Sequence, residues 1–327
     1  MSLTNPDRLF PIEPRLRDMA RAFYESVRDL PIISPHGHCE PRWFAENKRF
    51  PNPAELLVVP DHYLLRMLAS QGVPLTDLGV LRADGGKTEE DPRAIWQRFA
   101  AHYHLFRGTP SAIWLDHSFE HLFGIDEVLS ADTANAYYDH IDNCLGRDEF
   151  RPRALFEQFN VELLATTDAA TDQLPWHQQL RDSGWKGRIV TTYRPDAAVD
   201  PDFPGFAKTV AELGEITRED TSSWAGYLAA HRARRAYFKS FGATATDHGH
   251  ASARTADLPQ AEAKKLFAKA VAGTCTPDEA DLFRGQMLTE MARMSLDDGL
   301  VMQIHAGSRR NHNANIFARH GRDMGFD

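Results

Sequence analysis

Apolar positions along the chain follow two rhythms. Residues 14–28, PRLRDMARAFYESVR, bring apolar side chains round at helical spacing and predict an amphipathic helix. The run LPIIS (30–34) then predicts a short strand. From about 40 to 160 the helical rhythm returns in PAELLVVPDHYLLRMLASQGV, DPRAIWQRFAAHYHLF, SAIWLDHSFEHLFGI and SADTANAYYDHIDNCL, punctuated by proline and glycine. Beyond 160, strand-like runs recur between helical stretches: VELLATTD (161–168), GRIVTTYRPD (187–196), GATATDHG (242–249) and LVMQIHAGS (300–308). Strands separated by helices imply right-handed crossovers and a parallel sheet, hence an α/β class.

Each run ends in polar residues: His36 and His38, Thr166 and Asp168, Tyr193 and Arg194, Asp247 and His248, and His305. The carboxyl ends of parallel strands are where α/β barrels and open α/β sheets place their chemistry. Five such units correspond to an incomplete (β/α)8 barrel.

Composition narrows the partners. Hydrophobic residues make up 42% of the 327 and charged ones 25%, enough apolar material for a real core. No apolar run approaches a membrane span, and the N-terminus lacks a signal-like apolar segment. Three cysteines at unrelated spacings argue against a disulfide framework and suit a cytoplasmic setting. The net charge of −9, without a basic stripe, speaks against nucleic acid.

The candidate chemistry begins with PHGH. On a strand His36 and His38 share a face, roughly 6–7 Å apart, so both imidazoles can converge on a divalent ion. The spacing fits two solvated loop histidines equally well. His305, closing another strand, adds to the first reading, although a lone histidine is more often a core residue bonded to backbone. Arg194, held before Pro195, can grip a carboxylate bidentately or form a structural ion pair. The loop SRRNHN offers Arg310 and Asn311 to hydroxyls and carboxylates, or to water. His62 and Tyr63 open a helix behind Asp61, a predicted N-cap, a pattern that by itself reads as a surface helix. Asp168 and Asp247 are strand-end acids that could serve as ligands, bases or helix N-caps, capping being the commonest fate of aspartate there. Cys39 is expected to point away from its histidine neighbours.

Together, SPHGHCEPRWFAENKRFPNPAELLVVPDHYLLRMLASQGV, TTDAATDQLPWHQQLR, YRPD, FGATATDHG and GLVMQIHAGSRRNHN resemble the uronate isomerase (glucuronate isomerase) family of the amidohydrolase superfamily, in order and over nearly the whole chain. The resemblance implies a distorted (β/α)8 barrel with a helical insertion after the first strand. It divides the chain into an N-terminal helix and first strand (1–39), the insertion (40–160) and the remaining strands with their helices (161–327). It implies interconversion of D-glucuronate with D-fructuronate and of D-galacturonate with D-tagaturonate. It further implies a divalent metal, zinc by preference, on His36 and His38. His62, Tyr63 and His305 would be catalytic, and Arg194, Arg310 and Asn311 would bind substrate. The family's TDDP reads TDAAT here, which loosens any role for Asp168.

In the family, an eighth strand supplies an aspartate that ligates the metal and acts as base. That strand and its two predecessors are not expected before residue 327, so the chain reads as truncated and, taken alone, as inactive. The expected partner is a small hexuronate, with a homo-oligomeric enzyme and no membrane. Two rival readings are a metal-dependent hydrolase of the same barrel class and a catalytically inactive remnant. The fourth strand's end offers Asp247 and His248 but no lysine of the kind such hydrolases use.

Overall fold

The computed structural model describes residues 2–309, 311–322 and 324–326. The chain forms two compact units. One comprises Met1–Pro31, Lys48–Gln158 and Arg309–Asp327, the other Ile32–Asn47 and Phe159–Ser308.

The first unit is helical, and its helices start where local chemistry starts them. Glu13, Asp91 and Thr109 each accept a backbone N–H from the turn they precede, with proline at the first helical position. The side-chain oxygen takes an orphan donor, and proline has none to lose. Asp61 caps the His62–Ser70 helix as the sequence predicts, accepting from the Tyr63 and Leu64 N–H groups. Buried aromatics fill the core. Trp96 meets Phe99 edge-on at 5.5 Å and Phe119 at 6.4 Å, and its indole N–H donates to the Ala134 carbonyl at 2.9 Å. Burying the ring therefore strands no donor.

The second unit carries seven strands among the described residues: β1 (Ile32–Ser34), β2 (Val161–Ala165), β3 (Asp168–Ala169), β4 (Arg188–Val190), β5 (Tyr193–Arg194), β6 (Ala245–His248) and β7 (Val301–Ile304). All pair in parallel, β1–β2–β4 in one sheet and β3–β5–β6–β7 in another. Two of the expected strands, 161–168 and 187–196, are thus interrupted at Thr166–Thr167 and Thr191–Thr192. Backbone bonds carry the pairing across both breaks: Thr166 N–H to Val190 O (2.8 Å), Asp168 N–H to Thr192 O (3.0 Å) and Ala170 N–H to Arg194 O (3.1 Å). The five expected strand regions therefore lie side by side in chain order, with no reversal of the kind that marks a doubly wound sheet.

Long helices cover this sheet unit. Pro277–Asp298 begins with a capping box between Thr276 and Glu279 and stops at Gly299, whose φ of 77° suits a residue without Cβ. In the Trp224–Ser240 helix the fully buried Arg235 donates to both Asp298 oxygens, at 2.6 and 2.9 Å. Among the described residues no helix is long and apolar enough to cross a membrane.

Candidate functional site

The strand ends of the sheet unit gather the predicted groups. His36 and His38 lie in the loop directly after β1, not on the strand itself, and their Nε2 atoms stand 3.3 Å apart. Gly37 is constrained there. A Cβ on it would come within 2.9 Å of the Ala165 carbonyl oxygen, and its own carbonyl accepts from the Thr167 hydroxyl at 2.9 Å. A side chain at this position would thus collide with the neighbouring strand's backbone. His36 Nδ1 meets Gln303 Oε1 at 2.8 Å, while the Gln303 amide donates to the Pro35 carbonyl at 2.9 Å. With its amide nitrogen so committed, Gln303 presents an acceptor to His36. Nδ1 then carries the proton, and Nε2 keeps a lone pair for another partner.

Asp247, on β6, is the group that sequence reasoning undervalued. It is fully buried, and neither carboxylate oxygen receives an aligned hydrogen bond. Cationic or basic groups nevertheless surround it. His305 Nε2 stands 2.8 Å from Oδ1, His36 Nδ1 3.9 Å from Oδ1, and Arg194 Nη1 3.4 Å from Oδ2. A buried carboxylate without hydrogen bonds is costly unless charge compensates it.

His36, Asp247 and His305 each bring a donor atom within 4.8 Å of the others, and His38 Nε2 adjoins the group through His36. Donors about 2.0–2.2 Å from one zinc ion sit about 3.4 Å apart in a tetrahedron, so these residues fit a divalent cation. The His38 pKa is lowered, first by burial and then by His36, which favours the neutral imidazole that a metal requires.

Asp168 provides the contrast. Its Oδ2 accepts from the Thr166 hydroxyl at 2.6 Å and the Thr191 hydroxyl at 2.7 Å, which ties neighbouring strand regions together. Arg194 ends β5, its Nε donating to Asp196 Oδ2 at 2.8 Å. Cys39 is a free thiol, pushed up in pKa by burial and then by Glu40.

The remaining predicted residues belong to the helical unit or fall outside the description. His62 and Tyr63 open their helix with exposed side chains, and the Arg66 guanidinium lies 5.3 Å from the Tyr63 ring centroid. Asn311 adopts a positive φ of 58°. Arg310 lies outside the described residues. The sequence reading missed Gln303, which sits in an ordinary strand pattern, and Gly249. A Cβ on Gly249 would fall 2.8 Å from Asp196 Oδ2, 2.9 Å from Arg194 Nη2 and 3.1 Å from His305 Cε1. A second His-Gly-His, at 248–250, was the available signal for that position.

Comparison with known proteins identifies the family. The family model described as glucuronate isomerase matches residues 15–327. The chain is 60% identical over 325 residues to the uronate isomerase of Rhizobium meliloti, covering 99% of this chain and 69% of that protein. It is likewise 60% identical over 327 residues to the uronate isomerase of Mesorhizobium japonicum, covering 100% and 70% respectively. The crystal structure of glucuronate isomerase from Caulobacter crescentus superposes with a TM-score of 0.96 at 52% identity, over 99% of this chain and 68% of that one. That of uronate isomerase from Thermotoga maritima gives 0.89 at 27% identity, over the same shares. By sequence and by structure, the chain belongs to the glucuronate isomerase family.

Proposed function

We propose that the chain acts as a uronate isomerase, converting D-glucuronate to D-fructuronate and D-galacturonate to D-tagaturonate. Family membership carries this reading, and the strand-end cluster is consistent with it. We read the five parallel strand regions in chain order as part of a (β/α)8 barrel of the amidohydrolase type. Free cysteines support a cytoplasmic enzyme, which we take to be a homo-oligomer.

Aldose–ketose isomerisation moves a proton from C2 to C1 and another from O2 to O1, with negative charge building on oxygen. Arg194 offers guanidinium donors to the substrate's carboxylate or hydroxyls. His305, 2.8 Å from Asp247, can hold or release a proton at a substrate oxygen while the carboxylate balances its charge. Tyr63 and His62 are assigned to the carbonyl end, and Arg310 and Asn311 to substrate hydroxyls, on the family's motifs. His36, His38 and Asp247 would hold the divalent metal, zinc by donor type, which supplies Lewis acidity toward substrate oxygens when bound.

The test is an assay of the intact, metal-loaded protein on both uronates, repeated after chelation and after metal is restored. Ketouronate should form, disappear with the metal and return with it. Inertness toward both uronates alongside hydrolysis of lactones or amides would favour a hydrolase and sink this reading.

A further inference from the structure

The Arg–Pro–Asp tripeptide at 194–196 is placed as a brace. An arginine at a strand end has a long, flexible side chain, and fixing it costs about 2 kcal/mol of rotamer freedom unless a partner holds it. Here Asp196 Oδ2 takes the Arg194 Nε–H at 2.8 Å. The other Asp196 oxygen accepts the Gly249 N–H at 3.1 Å, so the carboxylate also ties the end of β5 to the loop after β6. Held by Nε, the guanidinium turns Nη1 toward Asp247 at 3.4 Å. Nη2 is left without a hydrogen-bond partner among the described residues. It lies in the space that a Cβ on Gly249 would crowd to 2.9 Å.

Building on the isomerase reading, we propose that Asp196 is a positioning residue for Arg194. It holds the guanidinium by Nε so that Nη2 is presented to the uronate while Nη1 faces Asp247. Asp196 itself need not touch substrate. Its influence passes through one hydrogen bond, and the absent side chain of Gly249 keeps the approach to Nη2 clear. Brace and arginine therefore form one unit and should lose their effects together.

The experiment compares Asp196→Ala, Asp196→Asn, Arg194→Ala and the Arg194→Ala/Asp196→Ala double variant in the intact, metal-loaded protein. Asp196→Ala should raise KM for D-glucuronate about 10- to 100-fold while kcat falls less than about 3-fold, the pattern of lost orientation in binding. Asp196→Asn keeps an oxygen for Nε and should fall between Asp196→Ala and wild type. The double variant should show the KM of Arg194→Ala alone, because a brace has nothing left to hold. Binding of D-gluconate, which carries a carboxylate and hydroxyls but no aldehyde, should weaken in the same order.

A purely structural role predicts lower thermal stability with an unchanged KM, and additive effects in the double variant. Either result overturns the proposal. Should Asp196→Ala fail to fold, a wild-type KM in Asp196→Asn does so instead. A wild-type protein inert toward both uronates, but with gluconate binding that responds to Asp196 as described, would count against the isomerase reading and leave the brace standing.

Discussion

In the helical unit the buried side chains include Trp96, Phe99, Phe106 and Phe119, and Ser111 is the one buried polar residue among those described. In the sheet unit Tyr193, Tyr227, Phe238 and Phe267 are buried beside His231, Arg234, Arg235, Asp247, His248 and His250. Both units bury aromatics, so the hydrophobic drive is similar in kind. They differ in how much polarity they take inside. Most of the sheet unit's buried polar groups are satisfied: Arg235 has Asp298, Arg234 donates to the Ala170 and Asp172 carbonyls, and Asp168 has two threonines. Side-chain atoms without hydrogen bonds remain on Asp247, His248 and His250, at the end of one strand, and on His231, in the helix behind Tyr193. Burial of polarity thus separates a unit built for packing from one built around a site, and three of its four incompletely satisfied side chains cluster where the site lies.

The sharpest way to break this comparison is Asp247→Asn. The substitution is nearly isosteric but removes the charge facing His305, Arg194 and His36. It should lower kcat for uronate isomerisation by about 10³-fold or more, as losses of a site charge commonly do. Bound divalent metal, measured by elemental analysis, should fall with it. The fold should survive, because no aligned hydrogen bond to those oxygens is lost. An Asp247→Asn protein with near-wild-type turnover would show that unsatisfied burial does not mark the site.

How much of this was legible beforehand depends on the range of the interactions. Asp61 as a cap and the Pro14–Val27 helix were readable because the relevant partners lie within a few residues. His36, His38, Arg194 and His305 were readable as polar residues closing apolar runs, which is also a local pattern. Asp247 was not. In sequence it is one more strand-end acid, like Asp168, and what separates the two is that threonines from two strand regions donate to one and nothing aligned donates to the other. Gln303 sits in a strand as an unremarkable polar position until the His36 ring is placed against it. The resemblance implied a helical insertion over 40–160, but only contacts distant in sequence bring Met1–Pro31, Lys48–Gln158 and Arg309–Asp327 into one unit. The strand breaks at Thr166 and Thr191 escaped as well, because threonine is itself a good strand residue.

A second prediction tests the packing side. Trp96 is fully buried, in edge-to-face contact with Phe99, Phe119 and Tyr138. Trp96→Ala should destabilise the protein by about 3–5 kcal/mol in denaturant melts, through lost burial and the cavity left behind. The same change should leave KM for D-glucuronate unaltered in the molecules that remain folded. A shifted KM at full stability would mean that the aromatic core serves the site directly, and the distinction drawn between the units would fail.

The smallest expected effect concerns His231, buried in the sheet unit behind Tyr193. Tyr193 is raised in pKa by burial, so its hydroxyl keeps its proton and donates to His231 Nδ1 at 2.7 Å. His231 is then the neutral tautomer with its proton on Nε2, an atom with no hydrogen-bond partner. Burial first, then Arg235 and His248, pull its pKa down to about 3. Above the unfolded value near 6.5 both states are neutral and the group makes no difference to stability with pH. Below it the unfolded chain takes up a proton that the folded one refuses, so stability falls as the pH drops from about 6.5 toward 3. Between pH 7 and pH 5 this histidine alone should remove about 2 kcal/mol. His231→Gln keeps an oxygen to accept the Tyr193 hydroxyl but cannot ionise. Its unfolding free energy should therefore decline less steeply over that interval than the wild type's, by about that amount. Equal slopes for the two proteins would mean that His231 accommodates its proton in the folded state, and that the polarity buried behind the strands is more tolerant of charge than the polarity at their ends.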